Sequence, residues 1–134
     1  MRAGLAAVPS WVDVVVVHDA ARPLVTPDLV ERCLAALADA DCAIAATPVT
    51  DTVKEARDGV VLRTLDRSGL WAVQTPQAFA AGTLRQALAG DISAASDCSS
   101  LVEAIGGRVK VVPGDPRLLK VTAAVDLERV AALL

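Results

Sequence analysis

The polar segment His18-Asp19-Ala20-Ala21-Arg22-Pro23 contains residue types suited to ligand chemistry and follows a nearly unbroken β-branched run, Val12 to Val17. Such a run is typical of a strand buried on both faces of a parallel sheet, and ligands bind beyond the carboxyl ends of these strands. The Asp19 carboxylate could hold a sugar hydroxyl or a metal ion, and the Arg22 guanidinium a phosphate. An Asx-turn beside a surface arginine explains these residues equally well.

Two further segments stand out by their residue choice. Asp66-Arg67-Ser68-Gly69-Leu70-Trp71 precedes Gln74-Thr75-Pro76-Gln77-Ala78-Phe79, and the combination is too specific for a generic loop. Leu119-Lys120-Val121-Thr122 lies near the end of the chain. Without other information, Lys120 ahead of a predicted strand would be a solvated surface charge.

The few histidine and cysteine residues limit which metal sites and catalytic nucleophiles the chain can have. His18 is the only histidine, so a multi-histidine metal site is excluded and a Ser-His-Asp triad would require this residue. Cys33, Cys42 and Cys98 show no C-x-x-C or Cys/His spacing. Neither a zinc site nor a disulfide framework is therefore indicated, and buried thiols are expected.

The chain around the first polar segment is predicted to form a strand, a helix and a second strand. Thr26 is expected to cap a helix that starts at Pro27 and continues to about Ala40, where apolar residues recur at helical spacing. Cys42 to Thr47 reads as the next strand. This order predicts a βαβ unit with a right-handed crossover and a parallel sheet.

A hairpin interrupts this pattern. Val49 to Glu55 and Val60 to Leu65 are extended segments joined by Arg57-Asp58-Gly59, a turn-forming sequence. Both segments are polar and carry little apolar surface, so we expect an arm over about residues 49–75 that projects from the main body.

The rest of the chain is expected to alternate helices and strands. No glycine-rich, phosphate-binding turn precedes the first strand, so the first βαβ unit of an open α/β domain is expected to be absent from this chain. The remaining predictions are a disordered Met1–Ser10, helices at Ala80–Ala89, Asp97–Ile105 (capped by Ser96) and Val125–Leu134, and strands at Arg108–Val112 and Leu118–Thr122.

Composition limits the partners. The 134 residues, 54% of them hydrophobic, suit one domain with a sizeable core. A net charge of -3 without any basic run disfavours nucleic acid. No apolar stretch approaches the ~20 residues of a membrane span, and the first ten residues make a poor signal peptide. The sequence predicts a cytoplasmic protein without a nucleic-acid or membrane partner.

Taken together, the motifs resemble those of the 2-C-methyl-D-erythritol 4-phosphate cytidylyltransferases. His-Asp-Ala-Ala-Arg-Pro, Asp51-Thr52-Val53-Lys54, Asp-Arg-x-x-Leu-Trp, Gln-Thr-Pro-Gln-x-Phe and Leu-Lys-Val-Thr occur in the family's order from about Val12 onward. The resemblance implies an α/β fold with a mainly parallel open sheet of the nucleotide-diphospho-sugar transferase type, truncated at the N-terminus and bearing the arm. Residues 1–134 would form a single, partial nucleotidyltransferase domain.

The resemblance also implies a reaction, the transfer of CMP from CTP to methylerythritol phosphate with Mg²⁺ as cofactor. Asp19 and Arg22 would face the substrate and the nucleotide phosphates, and Asp19 would also bind the metal. Ala20 would lie near the cytidine ribose. Lys120 would position the substrate and meet the α-phosphate, which makes it a candidate catalytic residue.

The 4-phosphate of the acceptor would be held by Thr52, Arg67 and Thr75. The resemblance implies that Arg67 and Thr75 reach across from a partner subunit, which makes Arg67 a second candidate catalytic residue. The active protein would then be a homodimer formed by exchange of the arm.

Two alternatives remain open. A ribitol-5-phosphate cytidylyltransferase has similar motifs, although Gly69-Leu70-Trp71 and Ser100–Glu103 favour the methylerythritol phosphate enzyme. The chain alone could also be a non-catalytic fragment that only dimerises or binds phosphate, because the family's glycine-rich loop has no counterpart before Val12. In addition, Cys98 replaces a family carboxylate, which is expected to weaken local hydrogen bonding.

Overall fold

The computed structural model describes residues 1–93 and 95–134, which form helices and strands around one central sheet. The elements in chain order are α1 (Arg2–Ala6), β1 (Val14–Val17), α2 (Pro27–Ala35), β2 (Cys42–Pro48), β3 (Lys54–Arg57), β4 (Val60–Thr64), β5 (Trp71–Ala80), α3 (Ala81–Ala89), α4 (Cys98–Ala104), β6 (Val109–Pro113) and α5 (Ala124–Ala131).

The central sheet has four strands in the order β1-β5-β2-β6. β1, β2 and β6 share one direction, because β5 is antiparallel to both of its neighbours and β6 is parallel to β2. The α/β class is confirmed, and β1 and β2 run in the same direction as predicted. They are not neighbours, however, since β5 lies between them. The sheet is therefore mixed. β1 is an edge strand whose Val14 and Val16 are 40% and 39% exposed, so the expected burial of this strand on both faces is wrong.

A bulge in β5 matters for the site. The β2 residues Ile44 and Ala46 pair with Gln77 and Val73, so three residues of β5 (74–76) lie opposite one residue of β2. Bulges of this kind redirect side chains and often occur beside functional sites. Here the bulge contains Gln74, Thr75 and Pro76.

The predicted helix after β1 is confirmed. Thr26 caps α2 with its side-chain oxygen, which accepts a hydrogen bond from the Leu29 backbone N–H at 3.4 Å, and Pro27 is the first helical residue. A short 3₁₀ turn extends the helix to Asp39. Leu29 and Cys33 are the buried residues of α2 and pack on the sheet.

Apolar clusters cover both faces of the sheet, and β2 contributes alternate residues to each. Cys42 and Ile44 belong to a cluster with Phe79, whereas Ala43 and Ala45 belong to the opposite cluster. Burial on both faces explains why β2 is apolar without alternation. The first cluster also contains residues of α1, α3 and α4, and the second contains residues of α2 together with Leu118.

The hairpin is confirmed as a separate two-stranded sheet of β3 and β4, in which every residue is exposed. Asp58 and Gly59 form its turn with positive φ values of 52° and 79°, as a tight hairpin turn requires. The expectation of little apolar surface is wrong, since Val60, Val61 and Leu62 are 65%, 56% and 54% exposed. The arm therefore carries an uncovered apolar strip.

Three further predictions are wrong. The segment Met1–Ser10 is not disordered throughout, because it contains α1, whose Leu5 is buried in the core and whose Arg2 Nε donates to the Leu88 carbonyl at 2.7 Å. The segment Leu118–Thr122 is irregular backbone and not a strand. Asp97, not Ser96, caps α4.

No helix among the described residues has the length and apolar content to cross a membrane.

Candidate functional site

A cleft of about 600 Å³ opens where β1 ends, between the bulge of β5, the start of α4 and the segment that carries Lys120. β1 ends at Val17, so the polar segment that follows it lies at the cleft, as the sequence predicted. Its lining side chains are Met1, Val17, Asp19, Arg22, Ile44, Val73, Gln74, Thr75, Gln77, Ser96, Asp97, Cys98, Ser99, Ser100, Glu103 and Lys120.

One carboxylate and two cations meet in this cleft. The Lys120 Nζ atom lies 3.1 Å from Asp19 Oδ2, and the Arg22 Nε atom lies 3.5 Å from the same oxygen. The hydrogen bond from Lys120 and the nearby Arg22 charge hold the pKa of Asp19 below its ordinary value, against the effect of burial. Asp19 is therefore ionised at neutral pH, and the cluster carries a net charge of about +1.

Hydrogen bonds hold the Lys120 segment against the loop after β1. The Arg22 Nη1 donates to the Leu118 carbonyl at 2.8 Å, and the Val121 N–H donates to the Ala21 carbonyl at 2.8 Å. Asp126 Oδ2 accepts from both the backbone N–H and the hydroxyl of Thr122, at 3.0 and 3.1 Å. Lys120 thus stands on a segment anchored at several points.

Thr75 lies beside Asp19 in the cleft of its own chain. Its Oγ1 accepts a hydrogen bond from the Asp19 N–H at 3.0 Å and contacts His18 Nδ1 at 3.0 Å, and the residue is only 9% exposed. The structure thus places Thr75 at the cleft of its own chain, whereas the resemblance implied that it reaches the site of a partner subunit. The bulge in β5 turns the Thr75 side chain toward its own cleft.

The other three predicted site residues lie outside this cleft. Thr52 and Arg67 are exposed, and the Arg67 guanidinium donates to the backbone carbonyl of Thr50. Ala20 is exposed as well and does not line the cleft. Of the predicted residues, the structure brings together Asp19, Arg22, Thr75 and Lys120.

A network at the start of α4 was not predicted as part of the site. Asp97 accepts hydrogen bonds from the Ser100 N–H at 2.9 Å, the Ser99 hydroxyl at 2.7 Å and the buried Gln77 amide at 2.8 Å. The Ser100 hydroxyl completes a capping box. An acidic residue three positions before a serine could have indicated this box from the sequence. Cys98 packs against the core beside this network.

Asp97→Ala is expected to lower the free energy of unfolding by about 2–4 kcal/mol, because it removes the helix cap and leaves the buried Gln77 amide unpaired. Urea unfolding of both proteins would measure the difference. Removal of the exposed Asp51 in Asp51→Ala should change stability by less than about 0.5 kcal/mol. Equal effects of the two substitutions would contradict this role.

The stabilisation by Asp97 should depend on pH. Burial opposes its ionisation, but hydrogen bonds from Ser99, the Ser100 backbone and Gln77 outweigh burial and hold its pKa below the ordinary 3.8. A lowered pKa in the folded state contributes stability above pH 3.8 that is lost as the pH falls through the folded value. The difference in the free energy of unfolding between wild type and Asp97→Ala should therefore become smaller as the pH falls below 3.8.

No group of three or more metal-ligating side chains occurs among the described residues. Asp19 is a single carboxylate already engaged by two cations. Mg²⁺ commonly uses one or two carboxylates and takes its other ligands from water and substrate phosphates. Asp19 therefore fits a Mg²⁺ ion that arrives with a nucleotide, and a preformed metal cage is not present in this part of the chain.

A polar cleft beyond the end of a strand is where ligands bind in open α/β folds, and here it brings Arg22 and Lys120 next to Asp19 in a fold of the nucleotidyltransferase class. A family model described as 2-C-methyl-D-erythritol 4-phosphate cytidylyltransferase, IspD, matches residues 1–134. The chain belongs to this family.

Individual relatives agree with this placement. The chain is 50% identical over 137 residues to the 2-C-methyl-D-erythritol 4-phosphate cytidylyltransferase of Symbiobacterium thermophilum, covering 98% of this chain and 57% of that protein. It is 50% identical over 133 residues to the bifunctional enzyme IspD/IspF of Sphingopyxis alaskensis, covering 97% of this chain and 34% of that protein. The chain thus spans only part of the length of the curated relatives it matches.

Solved structures show the same fold. A crystal structure of a 4-diphosphocytidyl-2C-methyl-D-erythritol synthase superposes with a TM-score of 0.85 at 40% identity, covering 98% of this chain and 64% of that one. The 2-C-methyl-D-erythritol 4-phosphate cytidylyltransferase of Thermus thermophilus gives a TM-score of 0.83 at 34% identity, with coverages of 98% and 65%.

Proposed function

We propose that this chain forms the acceptor-binding part of an enzyme that transfers CMP from CTP to 2-C-methyl-D-erythritol 4-phosphate. The observation that carries the proposal is the cluster of Asp19, Arg22 and Lys120 at the cleft, in a chain of the cytidylyltransferase family. The products would be CDP-methylerythritol and pyrophosphate, made for isoprenoid synthesis in the cytoplasm.

In the reaction, an oxygen of the 4-phosphate forms a bond to the α-phosphorus of CTP, and the bond to the pyrophosphate leaving group breaks. Two anionic groups must approach each other, so fixed positive charge lowers the barrier. Arg22 suits a phosphate because its planar fork binds two oxygens, and Lys120 suits a point charge near the α-phosphate. Mg²⁺ bound through Asp19 would neutralise charge on the nucleotide phosphates. No covalent enzyme intermediate is required.

We also propose that the arm of a second subunit completes the site. The arm residues Thr52 and Arg67 are exposed and outside the cleft of their own chain, while Val60 to Leu62 form an uncovered apolar strip. An isolated two-stranded hairpin is marginally stable in water, so a partner that covers the strip would order it. In a homodimer with exchanged arms, Thr52 and Arg67 of the partner subunit would bind the 4-phosphate.

The proposed function is tested with a fusion in which residues 1–134 replace the matching part of the Symbiobacterium thermophilum relative. CTP is supplied with methylerythritol phosphate or with ribitol 5-phosphate, and the nucleotide product is identified by mass spectrometry. We expect CDP-methylerythritol at a rate close to that of the unaltered relative. Preferential formation of CDP-ribitol would contradict the proposed acceptor.

The 134 residues alone are expected to give no pyrophosphate release above background. Among the described residues, Arg22 and Lys120 are the cationic side chains that line the cleft. The chain spans 57% of the Symbiobacterium thermophilum relative, and each stabilising group that the reaction lacks costs roughly 3 kcal/mol. Pyrophosphate release from CTP and methylerythritol phosphate is measured with the fusion as the positive control. Turnover by the 134-residue chain at the rate of the fusion would overturn this expectation.

A further inference from the structure

Both ring nitrogens of His18 have partners at hydrogen-bond distance. Nε2 lies 3.0 Å from the backbone carbonyl of Arg22, and Nδ1 lies 3.0 Å from Thr75 Oγ1. The Thr75 oxygen also accepts the Asp19 N–H at 3.0 Å. His18 therefore connects the loop after β1 to the bulge of β5, at the edge of the cleft.

The chemistry of these partners fixes the proton positions. A carbonyl oxygen can only accept, so His18 Nε2 must carry a proton. A neutral imidazole has one N–H, so Nδ1 is then an acceptor and the Thr75 hydroxyl must donate to it. The Asp19 N–H occupies one of the two lone pairs of Thr75 Oγ1. One lone pair remains for a ligand, and no proton does.

We propose that His18 is a positioning residue that directs the Thr75 hydroxyl proton away from the ligand, so that Thr75 receives a substrate hydroxyl and not a phosphate oxygen. This inference rests on the proposed function, whose acceptor carries several hydroxyls and one phosphate. An ionised phosphate oxygen carries no proton, and the Thr75 hydroxyl has given its proton to the hydrogen bond with His18. The two oxygens would therefore face each other with lone pairs only, and no hydrogen bond could form between them. The hydroxyl of a polyol supplies that proton.

The assignment divides the acceptor between two parts of the cleft. Thr75, with its remaining lone pair, forms the part that binds the polyol chain. Arg22 and Lys120 supply positive charge to the phosphates. The role that the family resemblance implied for Thr75, a grip on the 4-phosphate, is replaced by selection of a hydroxyl.

The proton positions can be read directly, because His18 is the only histidine in the chain. Nitrogen NMR of the imidazole at pH 8 in the 134-residue chain should show the tautomer with hydrogen on Nε2. In Thr75→Val the Nδ1 signal should move toward that of a free, unprotonated ring nitrogen. A tautomer with hydrogen on Nδ1, or an Nδ1 signal that Thr75→Val leaves unchanged, would overturn the inference.

Binding of three probes tests the hydroxyl assignment, with methylerythritol phosphate, methylerythritol and inorganic phosphate titrated against the same chain. Thr75→Val should weaken binding of methylerythritol phosphate about tenfold and change that of inorganic phosphate by less than about twofold. Methylerythritol should bind more weakly to the variant as well. Equal losses for methylerythritol phosphate and inorganic phosphate would assign Thr75 to the phosphate and overturn the inference.

Two substitutions of His18 separate positioning from packing. The Asn side chain in His18→Asn can place an oxygen near the Nδ1 position and accept from Thr75, whereas the amide in His18→Gln corresponds to Nε2 and loses that contact. His18→Asn should retain affinity for methylerythritol phosphate within about threefold, and His18→Gln should lose about tenfold. Equal losses in both variants would contradict the positioning role.

Failure of the proposed function has a different signature. If wild type binds no methylerythritol phosphate, both the proposed function and the assignment of Thr75 to a hydroxyl of that substrate are wrong. The imidazole tautomer is measured without ligand. It therefore confirms or refutes the contact between His18 and Thr75 whatever the substrate is.

Discussion

Lys120→Ala in the fusion with the Symbiobacterium thermophilum relative is expected to reduce turnover by roughly 10²–10³-fold, the usual effect of removing one group that stabilises a developing anion. The Lys120 ammonium lies 3.1 Å from Asp19 at the cleft and is the only lysine in its lining among the described residues. Its loss removes positive charge where two phosphates meet. Initial rates of pyrophosphate release at saturating CTP would measure the effect.

Lys110→Ala is the matched control. Lys110 lies on β6, outside the cleft lining, and its Nζ atom is 2.8 Å from Asp39 Oδ1. Its removal should change the rate by less than about twofold. Lys120→Arg should recover part of the activity, because the charge is kept and its geometry changes. Wild-type kinetics in Lys120→Ala with an unchanged melting temperature would show that Lys120 has no catalytic role.

Mixing two inactive variants of the fusion is expected to restore activity. Arg67→Ala removes the arm's phosphate ligand, and Asp19→Ala breaks the ion pairs of the cleft, so each homodimer should be about a hundredfold less active. Random exchange of subunits makes half of the dimers heterodimers, each with one intact site. About a quarter of the wild-type activity should therefore return.

Arg63→Ala is the control for the arm. Arg63 pairs with Glu55 within the hairpin and should be dispensable for turnover. Exchange of subunits is verified with distinguishable tags and native mass spectrometry before the rates are compared. If heterodimers form and activity stays at the level of the single variants, Arg67 acts in its own chain and the exchanged arm is wrong. A fully active monomer would contradict it equally.

Local features of the fold were predictable because their causes lie in adjacent residues. The cap and first residue of α2, Thr26 and Pro27, follow from backbone geometry that these residue types favour. The turn at Asp58-Gly59 follows from the need for positive φ. Apolar periodicity located most of the remaining helices and strands to within a few residues.

The central strand β5 was not predictable from local pattern. Its bulge contains Gln74 and Pro76, and polar residues and proline within a segment argue against a strand in the middle of a sheet. Gln74 is satisfied only by tertiary structure, since its amide bonds to the backbone of Asp115 at 2.9 and 3.2 Å. Partners this distant in sequence leave no local signal.

The site was predictable to a similar extent. The polar loop after the valine-rich strand β1 pointed to Asp19 and Arg22, and the family resemblance added Lys120, which the fold brings to 3.1 Å from Asp19. The place of Thr75 at its own cleft was not predictable, because the bulge that turns it there depends on the pairing of β5 with β2. The hydrogen bond from the Gln77 amide to the Asp97 carboxylate likewise joins β5 to the start of α4, which only the folded chain brings together.

Binding of methylerythritol phosphate at the cleft is tested most directly by NMR titration of the 134-residue chain with this ligand. We expect saturable shifts of the backbone amides of Asp19, Arg22, Thr75 and Lys120. Lys120→Ala should weaken this binding and Lys110→Ala should not. These residues surround the cleft, so shifts confined to another surface would contradict binding there; the groove between α1 and α3, lined by Leu5 and Leu88, is one such surface. Absence of any saturable shift at millimolar ligand would contradict it as well.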